Sequence, residues 1–181
     1  AAHPDKIDLS KKYTFLNHAS LVSGLEGYLF PDTYYMFNNT SSGDIADAFL
    51  QNFDKKITPE IRRDIMRSNR TLHDIIIMAS LIEKEVISDQ DRKMVSGILW
   101  NRLRIGIPLQ VDATIHYIKK QRDMVRVSDG HIFYADLSLQ SPYNTYLHRG
   151  LPAGPIGNPG LSAILAAINP VLSTYLYYLS T

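Results

Sequence analysis

Two glutamates, Glu83 and Glu85, stand two residues apart in the segment Ala79-Ser-Leu-Ile-Glu-Lys-Glu85. Thr71, with Asp74 three residues later, reads as a capping box that opens a helix over about 72–87. At about 100° per residue, Leu72, Ile76, Ala79, Val86 and Ile87 all fall within about 60° of Glu83. Glu83 therefore points into the apolar stripe of its own helix. Glu85 lies nearly opposite, close to the direction of Asp74, and is expected to be solvated. A carboxyl in an apolar wall is costly to ionise and should keep its proton to higher pH. An acid still protonated near neutral pH is what a glycosidic oxygen needs from a general acid. An inward glutamate equally suits a structural salt bridge, here to Arg102 or Arg104, and the wheel alone leaves both readings open.

The elements that must position this helix follow from caps and periodicity. Ile45, Ala48, Phe49 and Phe53 recur at helical spacing over 44–54. Thr58-Pro59 is an N-cap followed by proline at the first helical position, opening a helix with Ile61 and Ile65. Ser88 and Asp91 repeat the cap-and-acid signature before a helix through Arg104, which Gly106 and Pro108 terminate. Asp112 reads as the cap of a shorter helix to Lys120. Asn158-Pro159 reads as the start of a helix carrying Leu161, Ile164, Leu165 and Ile168, stopped by Asn169-Pro170. Extended structure is expected in the aromatic segment 25–37, broken by Gly27 and Pro31, in 124–135, and in the aromatic run 175–181. Residues 141–160 hold four of the nine prolines and four of the ten glycines, so they form a shaped loop. The sum is an α+β fold, helix-rich with short β segments.

Composition narrows the chemistry. The chain has 181 residues, enough for one domain with a real core, and 45% hydrophobic residues place it among globular proteins. Nineteen basic and 18 acidic residues are well mixed, so nucleic acid is not expected as a partner. Cysteine is absent, which excludes a disulfide framework, a thiolate metal site and a Cys nucleophile. The six histidines (His3, His18, His73, His116, His131, His148) show no ligand spacing, so no metal or cofactor is expected. Neither a GxSxG elbow nor a P-loop is present. No apolar run reaches the roughly 18 residues that span a bilayer, and both ends read as cut from a longer protein. The lack of an anchor or targeting segment in these residues therefore excludes neither.

Five words occur in a fixed order: Leu25-Glu-Gly-Tyr-Leu-Phe-Pro-Asp-Thr-Tyr34, Ala79-Ser-Leu-Ile-Glu-Lys-Glu85, Asn101-Arg-Leu-Arg-Ile-Gly-Ile-Pro-Leu-Gln110, Ser141-Pro-Tyr-Asn-Thr-Tyr146 and Gly150-Leu-Pro-Ala-Gly-Pro-Ile-Gly-Asn-Pro-Gly160. Together they resemble the successive motifs of the endolytic murein lytic transglycosylases, the MltG or YceG-like family, and cover most of residues 23–181. The resemblance implies cleavage of the β-1,4 bond between N-acetylmuramic acid and N-acetylglucosamine within a peptidoglycan strand, leaving a 1,6-anhydro-muramyl end. The alternatives are a lysozyme-like muramidase with the same site and a glycan-binding module without turnover. The resemblance further implies a membrane-anchored protein whose catalytic domain lies outside the cytoplasm, working beside peptidoglycan synthases. Residues 1–22 would be a linker or the trailing edge of a LysM-like subdomain, and 23–181 the YceG-like catalytic domain without its C-terminal end. The family's catalytic glutamate falls on Glu83. Where members often read Gln-Ser-Asp-Pro-Thr, this chain reads Gln110-Val-Asp-Ala-Thr114.

A lytic transglycosylase can work with one acid, because the sugar's own C6 hydroxyl replaces water as nucleophile. The candidate substrate-binding residues are Tyr143, Asn144, Thr145 and Tyr146 in the Pro-flanked loop, with Gln110, Asp112, Asn101, Arg102 and Tyr28. Rings there suit sugar stacking and amides suit N-acetyl groups, with Asn144 and Gln110 also placed to support charge on the ring. Tyr143 and Tyr146 equally suit packing of the loop, Tyr28 and Trp100 the core. Arg102 suits a lactyl or peptide carboxylate, or a pair with Glu85 or Asp112.

Overall fold

The helix that carries both glutamates is the centre of the molecule. The computed structural model describes residues 9–18, 24–122 and 131–179. Among them run the helices α1 (Leu9–Lys12), α2 (Ser42–Lys56), α3 (Pro59–Arg67), α4 (Leu72–Glu85), α5 (Asp89–Arg104), α6 (Asp112–Gln121) and α7 (Leu161–Ile168), with 3-10 turns at Thr14–His18 and Tyr134–Ser138. α4 packs against α3, α5, α6 and α7. Its eight residues 75–82 are all buried, so the helix is enclosed on every side through its middle.

Local sequence dictates most helix starts. Thr58 accepts from Ile61 N with Pro59 next, and Thr71 and Asp74 form the reciprocal capping box. Ser88 accepts from Asp91 N. Two starts differ from the sequence reading. Val111, not Asp112, is the cap residue of α6, and it makes no side-chain cap bond; the Asp112 carboxylate accepts from the Tyr146 hydroxyl instead. α7 begins at Leu161 after Gly160, because Asn158 turns its side chain away to accept from Gly27 N (2.7 Å) and Leu29 N (3.2 Å). Helix α4 also stops at Glu85, with Val86 extended, which leaves Ile87 91% exposed rather than on an apolar stripe.

The α+β expectation is corrected: no strand occurs among the described residues. The described parts of the segments read as β take other forms. In 25–37 the chain turns over 24–28, buries Tyr28 and Phe30 in the core, and takes its amide partner from the Asn158 side chain. Residues 124–130 lie outside the described residues, and 134–138 form a 3-10 turn. Residues 175–179 are extended, but their neighbours are side chains: Asn101 Nδ2 donates to the Ser173 carbonyl (2.6 Å) and Arg102 Nη1 to the Leu176 carbonyl (3.1 Å). The path of this segment depends on Gly97. A Cβ there would lie 2.0 Å from the Val171 carbonyl oxygen, so only glycine lets the chain after α7 lie against α5.

Candidate active site

The last turn of α4 is where this central helix emerges from the core, and Glu83 sits at that point. Its side chain is 31% exposed. Oε1 receives Arg92 Nη2 of α5 at 3.2 Å, and Oε2 accepts from the Gly160 N–H at the start of α7, also at 3.2 Å. Arg92 is held in turn by Asp89 (3.3 Å) and Ser162 Oγ (3.0 Å). The salt bridge open to an inward glutamate is therefore made, to Arg92 rather than to Arg102 or Arg104. Its cause is the three-residue connection 86–88, which brings the first turn of α5 back beside the last turn of α4.

The reading of Glu85 as a solvated group is overturned. Glu85 is half-buried and accepts from the Tyr178 hydroxyl at 2.9 Å. Burial pushes its carboxyl above the ordinary value, with Asp112 adding to the shift while Tyr178, the Ala113 amide and His116 oppose it. A helical wheel knows only its own helix; here the extended C-terminal segment covers the face that the wheel left open. A carboxyl raised in the folded state adds stability below its unfolded value of about 4.5, and that contribution is lost as pH climbs through the higher folded value. Glu85→Gln removes this loss. We expect urea unfolding midpoints of the variant and the parent to coincide near pH 4 and the variant to become the more stable one by pH 8; parallel pH profiles would refute the assignment.

Three cavities ring the end of α4. One of about 650 Å³ is lined by Glu83, Glu85, Ser88, Met94 and Tyr178. A second, about 300 Å³, is lined by Glu85, Arg102, Gln110, Asp112, Tyr146 and Tyr178. They share Glu85 and Tyr178, so together they make a groove along the helix end. A third, about 600 Å³, meets the first at Lys84.

The structure thus brings Gln110, Asp112, Tyr146 and Arg102 to one wall. Gln110 has a left-handed backbone (φ 49°), uncommon for a non-glycine residue and a conformation that collects at functional sites. It is held by Arg102 Nη2 on its Oε1 (2.6 Å) and by its own N–H on the Thr145 carbonyl (3.0 Å). Arg102 is only 6% exposed and also donates to the Pro108 carbonyl; it pairs with neither Glu85 nor Asp112. Tyr143, Asn144 and Thr145 are buried beneath this wall. Asn144 Nδ2 donates to the Leu137 and Leu139 carbonyls, Thr145 Oγ1 accepts from Val111 N, and the Tyr143 ring packs on Tyr117. Asn101 secures the C-terminal segment through Ser173. Tyr28 is fully buried, its hydroxyl 2.8 Å from His73 Nδ1, and Trp100 donates to the Ala167 carbonyl beneath the Arg70 guanidinium. Sequence reasoning missed Arg92 and Tyr178. The short connection between two capped helices signalled the first; nothing in the sequence signalled the second.

Comparisons with known proteins show the family. The YceG-like family matches residues 4–181. An endolytic murein transglycosylase of Bacillus subtilis (strain 168) is 41% identical over 160 residues, which is 86% of this chain and 42% of that protein. The endolytic murein transglycosylase of Streptococcus pneumoniae serotype 2 (strain D39 / NCTC 7466) is 36% identical over 156 residues, 86% of this chain and 28% of that protein. The crystal structure of a YceG-like protein from Listeria monocytogenes superposes with a TM-score of 0.82 at 34% identity, covering 95% of this chain and 56% of that one. The chain spans less than half the length of those two curated relatives. Residues 4–181, the glutamate-bearing helix among them, match one family, and the chain belongs to it: the YceG-like family.

Proposed function

We propose that the chain is the catalytic part of an endolytic murein lytic transglycosylase, cutting the MurNAc-β-1,4-GlcNAc bond inside glycan strands with Glu83 as acid and base. The observation that carries this is the place of Glu83: a carboxylate at the point where the central helix emerges beside a cavity, fixed from two sides by Arg92 and the Gly160 N–H. The two adjoining cavities, about 650 and 300 Å³, offer room for more than one sugar, which suits the interior of a strand. In the reaction Glu83 gives its proton to the leaving O4 of N-acetylglucosamine as the C1–O bond breaks. The carboxylate then takes the proton of the muramyl C6 hydroxyl as that oxygen closes on C1. Atoms balance without water, and the attack gains from being intramolecular. Gln110, locked by Arg102, would turn its amide toward charge developing on the ring, and Tyr146 and Tyr178 would flank the sugars.

A second reading exchanges the two carboxyls. Burial favours the protonated form of Glu85 and Glu85 faces both cavities, so it too could donate the proton. In the cell we place the enzyme in wall assembly, anchored to the membrane through segments outside this chain, its catalytic domain outside the cytoplasm and beside peptidoglycan synthases. The described residues hold no helix long and apolar enough to cross a membrane. The test of the reaction is the product: uncrosslinked strands digested with the chain should yield muramyl ends one water lighter than reducing ends, by mass spectrometry. Reducing ends would make it a muramidase, and intact strands a binding module.

A further inference from the structure

Peptidoglycan is an acidic polymer, and its anionic groups need cations near the cut. The two arginines of the site already have anionic or carbonyl partners: Arg92 has Glu83, Asp89 and Ser162 on its two terminal nitrogens, with only its Nε unpartnered, and Arg102 has Pro108, Leu176 and Gln110. Lys119 pairs with Asp136 at 2.6 Å. Lys84 and Lys120 differ, for among the described residues neither has a hydrogen bond or an ion pair. Both line the third cavity, of about 600 Å³, with Glu26, His116, Tyr117 and Ile156. The single carboxylate there, Glu26, already accepts from the Tyr117 hydroxyl at 2.5 Å. Two ammonium groups therefore face one committed carboxylate, beside an apolar floor of Ile156 and the Tyr117 ring.

Lys84 follows Glu83 directly and lines both this cavity and the one at Glu83. A sugar bound at Glu83 thus has a cationic pocket next to it.

We propose that this pocket takes a carboxylate carried by the muramic acid, either that of its lactyl ether or one in its peptide stem, between Lys84 and Lys120. The chemistry fits both sources: an ammonium pair for the anion and an apolar floor for the adjoining methyl group of lactate or alanine. This rests on the reading of the groove as a glycan site and deepens it. Of the two lysines, Lys120 is the one to test, since it is exposed on α6 and distant in sequence from Glu83.

The experiment measures binding rather than turnover. Labelled strands are titrated into Glu83→Gln and into Glu83→Gln/Lys120→Ala, with equal urea midpoints confirming that both are folded. Three strands serve as probes: with stems intact, stripped by an amidase to the free lactyl carboxylate, and stripped with that carboxylate converted to a methylamide. Losing a charge-assisted contact should weaken carboxylate-bearing strands about tenfold and the methylamide strand less than about twofold. Lys120→Arg should restore most of the loss. A loss confined to stem-bearing strands assigns the stem as the source, one confined to stripped strands assigns the lactyl group, and a loss on both means that the pocket accepts either carboxylate. Equal affinities in the two proteins, or an equal loss on the methylamide strand, overturn the proposal. A parent chain that releases anhydro ends without any dependence on Lys120 sinks this inference alone. One that releases none yet depends on Lys120 for binding sinks the cleavage reading alone.

Discussion

Glu83→Gln is expected to lower the rate of glycan-strand cleavage by roughly 10²–10⁴-fold, the range that a positioned general acid–base group supplies. The substitution is isosteric and keeps an acceptor for the Gly160 N–H, so strand binding should survive. Stability should change by less than about 1 kcal/mol, because the pair it weakens is partly exposed and Arg92 retains Asp89 and Ser162. The informative comparison is Glu85→Gln. Glu85 meets the same groove, and its environment favours the protonated acid, so the two variants assign the roles between them. Loss in Glu83→Gln with Glu85→Gln within about tenfold of the parent fixes Glu83 as the acid. The reverse pattern exchanges them, and full activity in both removes carboxyl catalysis from this site. Arg92 bears on the result as well. A carboxylate tied to a guanidinium must have that contact loosened before it can carry the proton, so substrate has to displace the Arg92 head or turn Glu83 away from it.

What the sequence made legible was local. Caps at Thr58, Thr71 and Ser88 were readable because each is a side chain bonding an amide three residues on. The ends of α5 and α7 were readable for equally local reasons, the left-handed backbone of Gly106 and the inability of Pro170 to continue a helix. Two of the segments expected as strands, 25–37 and the run from 175, were not, and their failure has one cause; most of 124–135 lies outside the described residues. Alternating aromatics say that a stretch is extended and half-buried; they do not say what will meet its backbone. Here the partners are Asn158, 131 residues from Gly27, and Asn101 and Arg102, 72 and 74 residues from Ser173 and Leu176. The exchange of environments between Glu83 and Glu85 follows from the same blindness. A wheel assumes one buried face, but α4 is buried all round from 75 to 82, so position along the axis, not angle about it, brings both carboxylates of the last turn to the groove.

Asn144→Ala should be the most destabilising change near the site, by roughly 2–4 kcal/mol, since buried groups that lose a partner cost about 1–3 kcal/mol each. The Asn144 amide is fully enclosed and makes three bonds: Nδ2 to the Leu137 carbonyl (3.0 Å) and the Leu139 carbonyl (2.8 Å), and Oδ1 from Tyr146 N (2.9 Å). Truncation strands all three backbone groups and opens a small void. For a domain of this size the thermal midpoint should fall by roughly 5–15 °C. Asn144→Asp should be no better, because a carboxylate cannot donate to two carbonyls and would be buried against them. The consequence for activity follows from what the loop holds up. Tyr146 and Thr145 come next in sequence, Thr145 takes the Gln110 N–H and bonds Val111 N, and Gln110 is thereby kept in its left-handed conformation on the groove wall. Below its melting point the variant should therefore lose strand affinity, through a misplaced wall, while retaining the Glu83 chemistry: KM rises and kcat holds. Had Asn144 met an N-acetyl group directly, Ala would remove binding with an unchanged melting curve. A calorimetric scan beside a kinetic series on the same preparation separates the two.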